Sequence, residues 1–165
     1  MFDKQTTLAD LFELKLQGLY DAEKQLVKAL PMLADKATDP RLRMAFEKPL
    51  DETENHVACL EQVAHSLEID LDGPACKAMK GLLEEGQQLM ALNATDAVMD
   101  AALISAAQGV EHEEIAQYGT VVHFAKRLGY APEAAILSSS LAEEKNADET
   151  LNQLAINSVD EKALG

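Results

Sequence analysis

Seven residues stand where an otherwise apolar helical stripe is interrupted: Glu23, Glu52, His56, Glu111, Glu114, Glu144 and Asp148. Their spacing is ordered. Glu23 is followed, one segment later, by the pair Glu52 and His56, four residues apart. Glu114, with Glu111 a turn before it, is followed after nearly the same length of chain by Glu144 and Asp148, again four apart. Residues four apart lie on one face of a helix. A buried, isolated carboxylate costs several kcal/mol even after relaxation. No lysine or arginine shares these stripes to offset that cost. Shared protons or bound cations are the two remedies. Carboxylate oxygens with a single imidazole are hard donors, suited to iron or manganese. The pseudo-repeat of the ligand set points to a dinuclear site.

The elements that must carry these residues read as helices. Phe12, Leu16, Leu19, Glu23, Leu26, Leu30 and Leu33 recur in steps of three and four, the spacing of a bundle seam. So do Leu42, Phe46, Pro49, Thr53, His56, Leu60 and Val63, then Leu103, Ala107, Val110, Glu114, Gln117 and Val121, and last Ala134, Leu137, Leu141, Glu144, Asp148 and Leu151. Thr7 with Asp10 predicts a cap for a first helix from about Leu8 to Asp35, with Pro31 near its end. Asp39-Pro40 starts a second, running to about Ser66, and Pro49 should kink it. A loop with Gly73-Pro74 leads to a short helix over about Ala75 to Met90. Thr95 or Asp96 caps a third long helix ending near Gly129. Ala131-Pro132-Glu133 opens the fourth, expected to reach about Ser158. The fold expected is all-α: one domain over residues 1–165, a four-helix bundle of two hairpins with a short extra helix in the crossover between them.

Composition narrows the function. The chain has 165 residues and a formal charge of −15. Nucleic acid and anionic membranes call for clustered Lys and Arg, so both are excluded as partners, while metal ions remain. An apolar fraction of 47% is too high for a disordered acidic chain. Cys59 and Cys76 form no CxxC, which excludes a rubredoxin-type iron site or a zinc ribbon. They could pair, though a reduced thiol state is the plainer reading. Met1 to Gln5 show no apolar leader, and no segment is a transmembrane candidate. A soluble, cytoplasmic protein is expected. Tyr20 and Tyr118 lie one turn from Glu23 and Glu114, either as hydrogen-bond partners of the carboxylates or as core aromatics. The remaining acids, Glu143 among them, read as solvated faces, and His65, His112 and His123 as bystanders.

The segments Leu19-Tyr-Asp-Ala-Glu-Lys-Gln-Leu26, Asp51-Glu-Thr-Glu-Asn-His56, Val110-Glu-His-Glu-Glu-Ile-Ala-Gln-Tyr118 and Glu143-Glu-Lys-Asn-Ala-Asp148 resemble, in order, the YciE/YciF-like bacterial stress-protein family. That family belongs to the ferritin-like di-iron superfamily, whose bundles place one Glu on each of two helices and Glu-x-x-His on the other two. The third and fourth helices also resemble rubrerythrin. The resemblance implies that Glu23 is a terminal ligand and that Glu52 bridges or chelates beside His56. Glu111 or Glu114 would bridge, the other being free to swing in, and Glu144 would complete a second metal, with Asp148 where rubrerythrin has a histidine. Two iron ions, or manganese, are implied as cofactors. This chain departs from the pattern: His56 is four from Glu52, with Thr53 at the three-spaced position, and Asp148 makes the second position richer in oxygen.

Three functions fit these readings. One is a peroxide- or dioxygen-reducing oxidoreductase served by an external electron donor, since no rubredoxin-like segment is present. Another is iron binding or storage. The third is a structural stress protein with a vestigial site. A homodimer is expected in each.

Overall fold

Helix α1 (Leu8–Lys36) starts on a reciprocal cap: Thr7 Oγ1 accepts the Asp10 N–H while Asp10 accepts the Thr7 N–H. The structure, a computed structural model, describes residues 6–164, so the reading of Met1 to Gln5 lies outside the described residues. Helix α2 (Pro40–Leu67) begins as its sequence requires, with Asp39 capping and Pro40 in the first turn. Then come α3 (Lys77–Met90), α4 (Asp96–Leu128) and α5 (Ala131–Leu154). Thr95 holds the cap position of α4 without a side-chain bond. Both α1 and α2 continue past their internal prolines, Pro31 and Pro49.

The fourth long helix departs from expectation at its end. Regular α-helix stops at Leu154, a π-type turn covers Ala155–Val159, and a short α6 (Asp160–Ala163) follows. The wider turn changes the phase of the chain. It brings Val159 and Ser158 inside, where Val159 joins the core and Ser158 accepts a bond from Arg41.

Helices α1 and α2 form one hairpin and α4 and α5 the other; α1 packs on α4, α2 on α5, and α3 on α4 and α1. The apolar side chains sort into two cores. One joins Leu30 and Leu33 of α1, Leu42 and Phe46 of α2, Met99 and Leu103 of α4, and Leu151 of α5. The other joins Phe12 and Leu16, Leu60 and Val63, Tyr118 and Val121, and Ala134 and Leu137. The C-terminal half of α1 therefore meets the N-terminal half of α4, so these helices are antiparallel, as are α2 and α5. Helices α2 and α4 then run the same way, which is why the long crossover carrying α3 is needed. This is a ferritin-like four-helix bundle with an extra helix in its crossover.

The junctions are held by polar side chains that the seam reading did not single out. Buried Asp100 of α4 accepts bonds from Thr38 N (2.8 Å), Thr38 Oγ1 (2.7 Å) and Asp39 N (2.9 Å), tying the α1–α2 turn to the second hairpin. Asp39 binds Arg41 and Lys162, which hold its carboxyl well below the usual range. Asp21 accepts the N–H of Cys76 at the start of α3 (2.6 Å). Met79 and Met90 pack as expected, one buried and one partly so. Cys59 and Cys76 are both free. Among the described residues, no helix is long and apolar enough to cross a membrane.

Replacing Asp100 by alanine leaves the buried Asp39 N–H and the part-buried Thr38 N–H of the α1–α2 turn without their partner. The expected loss is about 3 kcal/mol, or roughly 6–12 °C in Tm for a chain of this length. A calorimetric scan that leaves Tm unchanged would show that the turn holds itself.

Candidate metal centre

Between the two apolar cores lies a polar layer. Glu23 of α1, Thr53 and His56 of α2, Glu111 and Glu114 of α4, and Glu144 of α5 are all buried in it. Each helix delivers its residue through the packed positions of its own stripe, which the polar side chain must follow inside. Leu19 and Leu26 flank Glu23, and Leu60 follows His56. Val110, Glu111, Glu114 and Tyr118 occupy one buried row of α4.

The layer resolves into two groups. Ligand atoms of Glu23, His56 and Glu144 lie within 4.8 Å of one another, and so do those of Glu111, Glu114 and Glu144. Glu144 belongs to both. His56 Nδ1 is 2.8 Å from Glu144 Oε1 and 3.4 Å from Glu23 Oε1, yet neither oxygen lies in hydrogen-bond geometry to it. The Tyr118 hydroxyl donates to Glu23 Oε1, and its ring meets the imidazole edge-on, with centroids 5.6 Å apart. Tyr118 is thus a carboxylate partner as well as a core residue. Tyr20 donates instead to Glu61, outside the layer.

Within the layer, Glu23 Oε2, His56 Nδ1, Glu111 Oε2 and both oxygens of Glu114 are buried with no hydrogen-bond partner. Buried polar atoms are rarely left so. Burial pushes the Glu111 carboxyl up to about 10, with Glu144 and Asp148 adding to it. Burial, with the neighbouring charge of Glu23, raises Glu114 well above the carboxylate range. Burial also raises Glu23, although His56 partly opposes it. For His56, burial works against the charged ring, but Glu144 and Glu23 outweigh it and carry the imidazole to about 11. The layer therefore holds protons that cations could displace. Orphaned hard oxygens around one imidazole fit iron or manganese.

Two of the residues singled out by spacing lie outside both groups. Glu52 is 27% exposed in its side chain and pairs at 2.9 Å with Lys48, an exposed lysine that lies off the apolar stripe. The α2 stripe buries Thr53 in its stead; one residue of phase, about 100°, separates the two. Asp148 is 18% exposed and faces His112 at 3.4 Å, a histidine read as a bystander. Asn152 donates to its other oxygen. Glu143, expected on a solvated face, touches the layer: its Oε2 is 2.6 Å from His56 Nε2. Its position beside Glu144 was the one available signal, because the same helix turn that sends Glu144 inward leaves Glu143 on the rim.

A ferritin-like bundle with a layer of carboxylates and one histidine at mid-height is the class of protein that this fold and site define. Residues 7–164 match the family described as a domain of unknown function, DUF892, and the chain belongs to that family. It is 42% identical to Protein YciF of Escherichia coli (strain K12) over 158 residues, 95% of each chain. Its fold matches the crystal structure of the E. coli stress protein YciF with a TM-score of 0.91, at 41% identity, covering 94% of this chain and 99% of that one. It also matches YcfI of Rhodopseudomonas palustris, described as a proposed structural protein, with a TM-score of 0.88 and 37% identity over 92% of this chain and 98% of that one. The YciF-like resemblance read from the four motifs is thereby shown.

The raised carboxyls and imidazole set a pH dependence for the chelator-treated, metal-free protein. At these groups the folded chain keeps protons that the unfolded chain releases, so their contribution to stability is fullest below their ordinary values and is lost as pH rises toward about 10 for Glu111 and 11 for His56. Thermal melts should show Tm declining from about pH 5 to about pH 9, at roughly 2–4 °C for each kcal/mol lost. A Tm that rises across that interval contradicts the protonated layer.

Proposed function

We propose that the chain is a dinuclear metal protein of a bacterial stress response, with iron as the first candidate and manganese as the second. What carries this reading is the pair of three-residue groups sharing Glu144. Glu23, His56 and Glu144 would hold one cation, and Glu111, Glu114 and Glu144 the other. When bound, such a pair supplies the redox chemistry for reducing peroxide or dioxygen. The chain's own part is to hold five donor residues, to keep the layer between two apolar cores, and to give Glu23 a hydroxyl donor in Tyr118. Glu52 and Asp148 stand outside the two groups. The stress setting is that of the E. coli relative, a stress protein. Electrons would come from an external donor, and a cytoplasmic homodimer belongs to the same reading. The description of the R. palustris relative as a proposed structural protein favours one second reading, a stress-related bundle whose centre does no turnover.

Metal analysis and absorption spectra of the air-oxidised protein decide between them. The expectation is about two iron or manganese ions per chain. Removal of each by a chelator should cost about 2.7 kcal/mol when the free metal had stood at 100 times the Kd of that site. Glu144→Ala should empty both positions, and His56→Ala chiefly one. Absence of both metals, with a melting curve indifferent to chelation, would leave the non-catalytic bundle. Peroxide consumption that vanishes in Glu144→Ala would separate an enzyme from a store.

A further inference from the structure

Away from the polar layer, α3 does not seal against α1 along its whole length. Asp21 of α1 accepts the Cys76 N–H at 2.6 Å, and Gln25 donates to the Cys76 carbonyl at 3.2 Å, so the start of α3 is pinned to α1. Beyond these bonds a cavity of about 330 Å³ opens where α1, α3 and α4 meet. Each helix lines it with a small residue: Ala29, Gly86 and Ala106. Leu33, Leu83 and Val110 add apolar walls. Met32, 48% exposed, and Met90 carry the surface on into a shallower hollow that Lys36 also lines.

The shape admits a slender occupant. A helix with its side chains is about 10–12 Å across, too wide for a gap between two helices that are hydrogen-bonded to each other at one end. An alkyl chain is narrow enough. Apolar cavities stay dry and take apolar molecules in place of water. Charge then selects the head group. The chain is −15 overall, yet Lys28 of α1 and Lys80 of α3 line two walls of this cavity, with Glu84 the one acid among the described lining residues. Lys80 and Glu84 are 3.7 Å apart and both well exposed, a pairing worth little. Lys28 makes no ion pair among the described residues.

We propose that this cavity binds a free, single-chain aliphatic carboxylate, a medium-chain fatty acid. Its tail lies among Ala29, Leu33, Gly86 and Ala106, and its carboxylate is held between Lys28 and Lys80. The methionines at the edge are adaptable enough to cover tails of differing length. An acidic chain repels anions over most of its surface, so a carboxylate that binds at all is directed to this mouth. A second copy of the chain suits the cavity less, because it brings another −15 to the same surface. The site stands apart from the polar layer and needs neither a metal nor a proton there.

The test titrates the full chain with decanoate, kept below the concentration at which it self-associates, and with its neutral amide for comparison. Calorimetry should find one saturable decanoate site per chain, with the amide bound about fivefold more weakly. At 100 times Kd, decanoate should raise Tm by about 5–10 °C. With carbon-13 methionine methyls, decanoate should shift Met32 and Met90 and leave Met44, exposed but outside the cavity, in place. Lys28→Glu combined with Lys80→Glu should lower decanoate affinity to that of the amide or below. Ala29→Phe and, separately, Ala106→Leu fill the cavity from two helices; each should abolish binding while keeping the helical circular dichroism of the parent. Absence of a saturable decanoate site overturns the proposal. So does equal affinity for the amide, parent-like binding in both filled variants, or methyl shifts away from the cavity. Sedimentation in which the parent self-associates, Ala29→Phe is monomeric and decanoate has no effect assigns the cavity to a second copy and overturns it as well.

Discussion

Four buried glutamates gathered around one imidazole, with no lysine or arginine of the described residues inside the layer, are the constraint on which this bundle depends. Glu23, Glu111, Glu114 and Glu144 cannot all be ionised there without a positive partner, since the desolvation cost is several kcal/mol for each. A layer of leucines in their place would fill the same space and stabilise the fold. A chain that keeps the acids instead is carrying a site that opposes its own stability. The two apolar cores on either side make that possible: each spans all four long helices, so the layer between them is gripped from both ends.

Asp100 shows how the same residue type behaves when its task is structural. It is as buried as the glutamates, but its two oxygens accept three hydrogen bonds from Thr38 and Asp39. Glu114 is buried with neither oxygen satisfied. Burial alone does not separate the two cases; the donor count does. Hydrogen bonds to backbone N–H satisfy a carboxylate in place, whereas a carboxyl aimed at other carboxyls waits for a proton or a cation. The junction acids Asp21, Asp39 and Asp100 lock the turns and leave the middle of the bundle to the unsatisfied ones.

The apolar stripes made most of this legible. Steps of three and four placed Glu23, His56, Glu111, Glu114 and Glu144 on inward faces, and Thr7 and Asp39 marked two helix starts. What they could not fix was a choice between neighbours. Glu52 and Thr53 differ by about 100° of helix phase, and a seam drawn through Thr53 still leaves Glu52 at its edge. The packing of Phe46, Leu60 and Val63 settles the phase and puts Thr53 inside. Glu143 was hidden for a different reason: its partner is on another helix, and a periodicity within α5 says nothing of what lies across the groove. Asp100 likewise acts on a turn 61 or 62 residues away. The π-type turn at Ala155–Val159 has no marker in the sequence, because a single widened turn leaves the residue types of the stripe unchanged.

The two groups are not equivalent, and the residue they share makes the difference matter. Glu23, His56 and Glu144 include the one nitrogen donor and the tyrosine hydroxyl; Glu111, Glu114 and Glu144 offer oxygen alone. Nitrogen donors favour transition metals over magnesium or calcium, while an all-oxygen set discriminates less. A cation in the first group would draw on Glu144 and relieve its repulsion of Glu111 and Glu114, which the second group otherwise counters with protons. Filling one position therefore alters the protons and charge at the other. Glu144 is the residue through which the two halves of the bundle, each built from its own hairpin, become one site.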